Sequence, residues 1–297
     1  MRFDLTDEQR ELGSAVRNML TKECPPEVAR TGDVKGLWPK LAALGVLGGS
    51  DFGLVESVVV CMEAGRACAP GPVPETYAAI SVAHDWRDRI ADGALVTAAT
   101  PYAAYADMVD AIVIGDALRS EVNVTAVPSV DPARPLFGVD GAAVTGHAYD
   151  VGALATAAYL CGLGSAMIEH AVAYAGTREQ FGRVIGSFQA VKHRLADAHI
   201  AVEFARPVVL AAAWSLEHEQ PDAARAASHA KLRGGRAAQV AAKAALQVHG
   251  AIGYTEECDL VIWLRRSWSM VSAFGDEADH RARIAASLAR ATTDGGR

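Results

Sequence analysis

The feature that most constrains this chain is its second half. From about residue 150 to 291, four long helical segments follow one another, at roughly 151–176, 187–219, 221–249 and 258–272, with a short last helix near 277–291. Apolar residues recur along them at helical spacing and the links between them are short. Long helices joined in this way bury their apolar faces by packing antiparallel, as a bundle. Alanine supplies about a fifth of all residues, which favours closely packed helices. Pro221 is placed to open the third segment, where its missing N–H costs nothing. The alanine-rich faces at 205–213 and 237–245 suit close helix contact, either inside the core or against another subunit.

The first half divides in two. Residues 1–90 read as helices. Thr6 or Asp7 can cap a helix whose apolar face carries Leu12, Val16, Met19 and Leu20, and Pro25-Pro26 ends it. Leu37–Leu47 reads as a short helix closing at Gly48-Gly49, and Leu54–Ala67 as another with Glu56 and Glu63 on its wet side. The stretch CAPGPVPET, 68–76, is expected to be extended, because each proline pushes its preceding residue out of the helical region. Between about 91 and 148 the segments ALVTAAT, MVDAIVIG, EVNVTAVPSV and AAVTGHA are short, rich in Val, Ile and Thr, and separated by Gly, Pro and Asp. They predict a small β unit of four to six strands. The expected fold is mainly α with a small β domain: an N-terminal helical domain at 1–90, a reduced β domain at 91–149 and a C-terminal helical bundle domain at 150–297.

Composition excludes several classes. The 297 residues carry a formal net charge of −7, which argues against a nucleic-acid surface. Five cysteines with no CxxC pair argue against a disulfide framework or structural zinc and fit a reducing compartment. The charged, amphipathic start MRFDLTDEQRELG is unlike a signal peptide, and no uninterrupted apolar run reaches the roughly 18 residues a membrane span needs. A soluble, cytoplasmic protein is expected.

Self-contained chemistry is scarce. Gly162 and Gly164 lie inside a helical pattern and follow no strand, so close helix packing is favoured over a dinucleotide loop. His193 and His199 share no face with a carboxylate pair, no Glu-x-x-His repeat occurs, and no metal site is expected. Cys161 reads as a buried structural thiol. Two stretches stand apart. In TREQFGRVIGSFQAVKHRLAD, 177–197, one helix stops at Gly176, a loop presents Arg178, Gln180 and Phe181, and a new helix opens with Gln189 in its first turn. An arginine, an amide and an aromatic at a helix junction suit a phosphate flanked by a planar base, although an ordinary surface loop has the same composition. In QVHGAIGYTEE, 247–257, a helix ends at His249, and Gly250 and Gly253 open the backbone for a bound group or for a simple C-cap.

Together, these two stretches resemble the acyl-CoA dehydrogenase family. The opening FDLTDEQRELGSAVRNML, the segment LWPKLAALGVLG and the helix–β–helix order agree. The resemblance is closest over about 150–272 and fainter in the β region. It implies a flavoenzyme fold in which a glutamate takes the α proton of an acyl-CoA thioester and FAD takes the β hydride, with FAD lying across a subunit interface. It also implies that Arg178 and Gln180 meet the pyrophosphate, that Phe181 packs near the cofactor, that Gln189 lies near the adenosine end, and that Gln247, Gly250 and Ala251 form a second wall against the ADP part. The family usually has two glycines where this chain has Gly250-Ala251.

The catalytic base of the family has no counterpart. Where many members carry Tyr-Glu-Gly-Thr, this chain reads Ala273-Phe274-Gly275-Asp276-Glu277, with Gly275 at the glutamate position. The alternative base position on the first bundle helix lands near Gly152. Asp150, Asp276 and Glu277 are nearby but offset. The flavin-cradling strand motifs are also missing. The resemblance therefore implies no catalytic residue in this chain and an FAD half-site completed by a homologous catalytic subunit in an α2β2 heterotetramer. That partner would bind most of the acyl-CoA, and a steroid side-chain thioester is the expected substrate. Two other readings stay open: a homomeric dehydrogenase using Glu277 or Asp276, and a flavin-free scaffold.

Overall fold

The computed structural model describes residues 4–48 and 52–294, with side chains to 290. Gly49 lies outside the described residues. Six helices come first: α1 (Asp7–Glu23), α2 (Pro26–Thr31), α3 (Val34–Ala43), α4 (Leu54–Arg66), α5 (Val73–Ile80) and α6 (Arg87–Ala91). Thr6 caps α1 through a reciprocal pair with Gln9. Val16 and Leu20 are buried on α1, and Leu12 and Met19 are partly so. Glu56 and Glu63 are half-buried and tie α4 to α1 through Gln9 and Arg17.

Prolines explain three departures from expectation. Pro26 does not only end α1; it opens α2 at the first helical position. The extended stretch stops at Pro72, because Pro74 falls in the first turn of α5, where no amide hydrogen is needed. Similarly, Pro221 lies in the turn ahead of the third bundle helix rather than inside it.

The β unit holds β1 (Val96–Ala98), β2 (Ala103–Ala104), β3 (Ala111–Ile114), β4 (Ala117–Arg119), β5 (Val124–Val127) and β6 (Leu136–Val139). They form two three-stranded sheets, ordered β1-β3-β4 and β2-β6-β5, with β1 and β3 parallel and the other pairs antiparallel. The segment AAVTGHA is not a strand: its last three residues already belong to the next helix.

The bundle follows: α7 (Gly146–Thr177), a hairpin of β7 (Glu179–Gln180) and β8 (Arg183–Val184), α8 (Gln189–Glu217), α9 (Ala223–His249), α10 (Leu260–Met270) and α11 (Glu277–Asp294). α7 has no polar stripe and packs against α4, α5, α8, α9 and α10, as a helix apolar on every side must. By length and composition it could cross a membrane, but 94% of its most apolar window is buried inside the protein. Glycines on α7 and on the helices against it set the packing. A Cβ on Gly162 would overlap the carbonyl of Met62, one on α4's Gly65 would overlap that of Tyr159, and one on α9's Gly234 would lie 2.6 Å from Ala157 O. The alanine faces at 205–213 and 237–245 are internal core, with Ala205, Ala212, Ala213, Ala238, Ala241 and Ala245 buried. What α8 presents to solvent instead is Ile200 and Phe204.

Four cysteines are buried and all five are free; burial pushes Cys24, Cys68 and Cys161 up to about 12. Buried charge joins the three parts of the chain. Arg266 on α10, 1% exposed, pairs with Asp131 of the β unit and donates to Ala69 O at 3.1 Å and Tyr159 Oη at 2.9 Å. Beside it, Arg134 bonds Glu75 at 2.6 Å and Ser269 Oγ at 3.0 Å. On α9, Lys231 donates to Val271 O at 2.8 Å and Gly275 O at 3.0 Å, and burial pulls its pKa down to about 7.

Two outcomes follow. Asp131→Ala strands a buried guanidinium and should lower unfolding free energy by about 3–5 kcal/mol in urea titrations. Above pH 7 an unfolded chain keeps a proton on residue 231 that the folded chain has released. That group's contribution to stability therefore rises with pH, by up to about 1.4 kcal/mol per unit. Comparing wild type with Lys231→Met between pH 7 and 8.5 should show this slope only in wild type.

Candidate functional site

The first singled-out stretch is a tight junction between α7 and α8. Arg178 caps α7, its N–H donating to Tyr174 O at 2.9 Å, and its own carbonyl accepts from Ile185 N at 2.8 Å, closing the hairpin. At the hairpin tip, Phe181 and Gly182 both have positive φ, 54° and 76°, the pairing that two-residue hairpins require. For a phenylalanine this conformation is uncommon, and it leaves the ring 92% exposed. Phe181 meets the edge of Phe188, ring centroids 6.2 Å apart, and Arg183 lies 4.1 Å over the Phe188 ring. α8 then begins at Gln189.

The second stretch begins where α9 ends. Gly250 has φ 68° and ψ −144°, a backbone state open essentially to glycine alone. Tyr174 stacks on His249, ring centroids 4.4 Å apart. That contact sets the end of α9 beside the end of α7, so both stretches lie at one end of the bundle.

Arg178, Gln180, Phe181, Gln189, Gln247, Gly250 and Ala251 are all exposed. Gln180 spends its amide on the carbonyl of Glu179 at 2.7 Å. The side chains of Arg178, Gln189 and Gln247 have no hydrogen bond or ion pair among the described residues. A free guanidinium, free amides, the positive end of a 29-residue helix and an exposed aromatic ring form a donor set that fits the diphosphate and base of a nucleotide. Beside them, α7 and α8 enclose an apolar cleft of about 910 Å³, which continues under Val184–Ser187.

At the junction of the β unit and the bundle lies a second cleft, of about 400 Å³, walled by Thr100, Tyr102, Arg134, Tyr149, Ser269 and Gly275. None of the three offset carboxylates is a free base there. Asp150 is held by Arg283 at 2.5 Å; burial raises its pKa and the guanidinium opposes that. Asp276 lines the cleft but is locked with Asp279 in reciprocal caps of 3.0 and 2.9 Å at the start of α11, and these bonds lower its pKa. Glu277 faces away, between Arg236 and Arg281, each 2.7 Å away, which hold its carboxyl down at about 2. A carboxylate so stabilised is a poor proton acceptor. Among the described residues no group of three or more His, Cys, Asp or Glu side chains is placed to hold a metal ion.

Sequence reasoning missed the residues that brace the turn and the helix beside this second cleft. Lys231 was legible as a lone cation on the alanine-rich face Ala227–Ala230–Gly234–Ala238, yet nothing local says that it reaches two carbonyls about 40 residues on. Tyr149, Phe274 and Arg283 carried no signal.

Comparison with known proteins identifies the family. The acyl-CoA dehydrogenase N-terminal domain matches residues 6–84, and the acyl-CoA dehydrogenase C-terminal domain matches residues 139–289. The chain is 29% identical to acyl-CoA dehydrogenase IpdE2 of Mycolicibacterium smegmatis, over 96% of this chain and 100% of that protein. To IpdE2 of Mycobacterium tuberculosis it is 30% identical, over 88% of this chain and 91% of the relative. Its fold matches that of a chain of the Tcur3481-Tcur3483 steroid ACAD, with TM-score 0.86, 22% identity and coverage of 97% and 99%. A chain of the ChsE4-ChsE5 complex from Mycobacterium tuberculosis matches with TM-score 0.83 and 24% identity, again over 97% and 99%. The chain belongs to the acyl-CoA dehydrogenase family, FAD-dependent oxidoreductases that act on acyl-CoA.

Proposed function

We propose that this chain is the non-catalytic subunit of a heteromeric acyl-CoA dehydrogenase. It holds the ADP half of FAD, and a homologous partner supplies the base, the flavin-ring pocket and most of the acyl-CoA cavity, in an α2β2 assembly in the cytoplasm. One observation carries this reading: glycine stands at one base position and near the other, while Arg178, Gln189 and Gln247 at the far end of the bundle are exposed with their donors unspent. Two of the proteins with this fold are named as two-component assemblies, and one of them is called a steroid ACAD, which supports a steroid side-chain thioester as the substrate.

In this role Arg178 grips the pyrophosphate with paired N–H donors, assisted by the partial positive charge at the start of α8. Gln180 and Gln189 orient the diphosphate and adenosine ends, Phe181 covers a ring face, and Gln247 with the Gly250–Ala251 backbone closes the other side. When bound, FAD supplies the hydride acceptor. The burden on this chain is orientation, which is worth several orders of magnitude in rate when the geometry is right.

The homomeric alternative needs Glu277 or Asp276 as base, and their hydrogen bonds and low pKa values speak against it. A flavin-free scaffold has no use for an unspent Arg178.

Co-expression with a longer homologue that carries the catalytic glutamate should yield a yellow complex. Arg178→Ala should cost at least tenfold in flavin affinity, read from absorbance after dialysis, while the complex stays intact by gel filtration. Glu277→Gln should leave the reconstituted dehydrogenase rate within about threefold, whereas a catalytic base would cost at least 10²-fold. A chain expressed alone that carries one active flavin per subunit would overturn the reading.

A further inference from the structure

Gly152 and Gly275 do not border empty space. A Cβ on Gly152 would overlap the ring of Phe274, a fully buried side chain. A Cβ on Gly275 would overlap the Tyr149 hydroxyl and lie 3.0 Å from His280 Nε2. The two fillers touch: Tyr149 and Phe274 meet edge to face, centroids 6.1 Å apart.

Both fillers are braced from other elements. Arg283 of α11 lies 4.7 Å over the Tyr149 ring while binding Asp150 at 2.5 Å and Ser228 Oγ at 2.9 Å. The turn that carries Phe274 and Gly275 is held by Lys231 through the carbonyls of Val271 and Gly275. His280 Nε2 donates to Phe274 O at 2.8 Å. Gly275 itself sits at φ 90°, so any side chain there is strained as well as crowded.

Simple loss of a glutamate from a working site leaves a hole, and a hole in a packed interior is costly. Here each vacated direction is filled by an aromatic side chain from the other position's own element: Tyr149 on α7 fills the space at Gly275, and Phe274 in the turn fills the space at Gly152. The geometry points to Tyr149 and Phe274 as reciprocal plugs that seal this chain's cleft against an acidic side chain at either base position. A side chain restored at either position therefore requires its plug to move. This rests on the proposed function for the meaning of the two positions; the steric coupling does not.

The test is a pair of double-mutant cycles on the full chain, read by urea unfolding. Gly275→Ala and Gly152→Ala should each raise the unfolding equilibrium constant at least tenfold. Tyr149→Ala should recover at least threefold of the first loss, and Phe274→Leu at least threefold of the second, once their own effects are divided out. If a glycine variant fails to fold, recovery of soluble, cooperatively unfolding protein in the double variant is the expected result. Additive effects, no recovery of soluble protein, or glycine variants within twofold of wild type would overturn the plug assignment. Flavin retention by wild type and Arg178→Ala complexes is scored separately, so failure here leaves the nucleotide-binding reading standing, and the reverse holds too.

Discussion

The buried guanidinium of Arg266 is the contact on which the arrangement of the three parts depends. It reaches from α10 to Asp131 of the β unit, to the carbonyl that follows α4, and to the Tyr159 hydroxyl on α7. Its neighbour Arg134 makes a parallel connection from the β unit to α5 and α10. Charges so deeply buried are tolerable only because nearly every donor finds an acceptor. Apolar packing alone leaves sliding freedom among valines and alanines, whereas these two forks accept a single register between the β unit and the bundle.

Held in that register, the two ends of the bundle differ in character. At one end, α7 and α8 meet in a hairpin whose strained tip pushes Phe181 into solvent beside unspent Arg178 and Gln189. At the other, α7 begins against the α10–α11 turn, and nearly every group there is consumed internally. Lys231 and His280 hold carbonyls, Arg283 holds Asp150 and covers Tyr149, and Asp276 is spent on capping α11. An exposed, unsatisfied surface is suited to receiving a ligand. A closed hydrogen-bonded turn is suited to permanence. The same fold thus leaves one end of the bundle with free donors and spends the polar groups of the other on its own turn.

Much of this was legible in the residues. The helical periods, the Thr6 cap, the Val- and Thr-rich middle and the glycine that ends α9 are local properties, and each produced its element close to the expected place. The losses were also local to see: no glutamate stands between Glu121 and Glu169, and a glycine stands at 275. Expectation failed where one residue type has two local uses. Pro26 and Pro74 open helices as readily as they close them, and AAVTGHA has strand composition yet feeds the first turn of α7.

The sequence by itself determined most of the elements, their order, the family and the glycine at 275, because helical period, capping and motif spacing act within a few residues along the chain. Only the tertiary structure decided that the alanine faces of α8 and α9 turn inward. It also brought Tyr174 and His249 together, joining the two singled-out stretches at one end, and filled the space beside Gly152 and Gly275 with aromatic rings. Those outcomes depend on contacts between residues from a few tens to about 125 positions apart, and no local propensity encodes which distant side chain will occupy a given space.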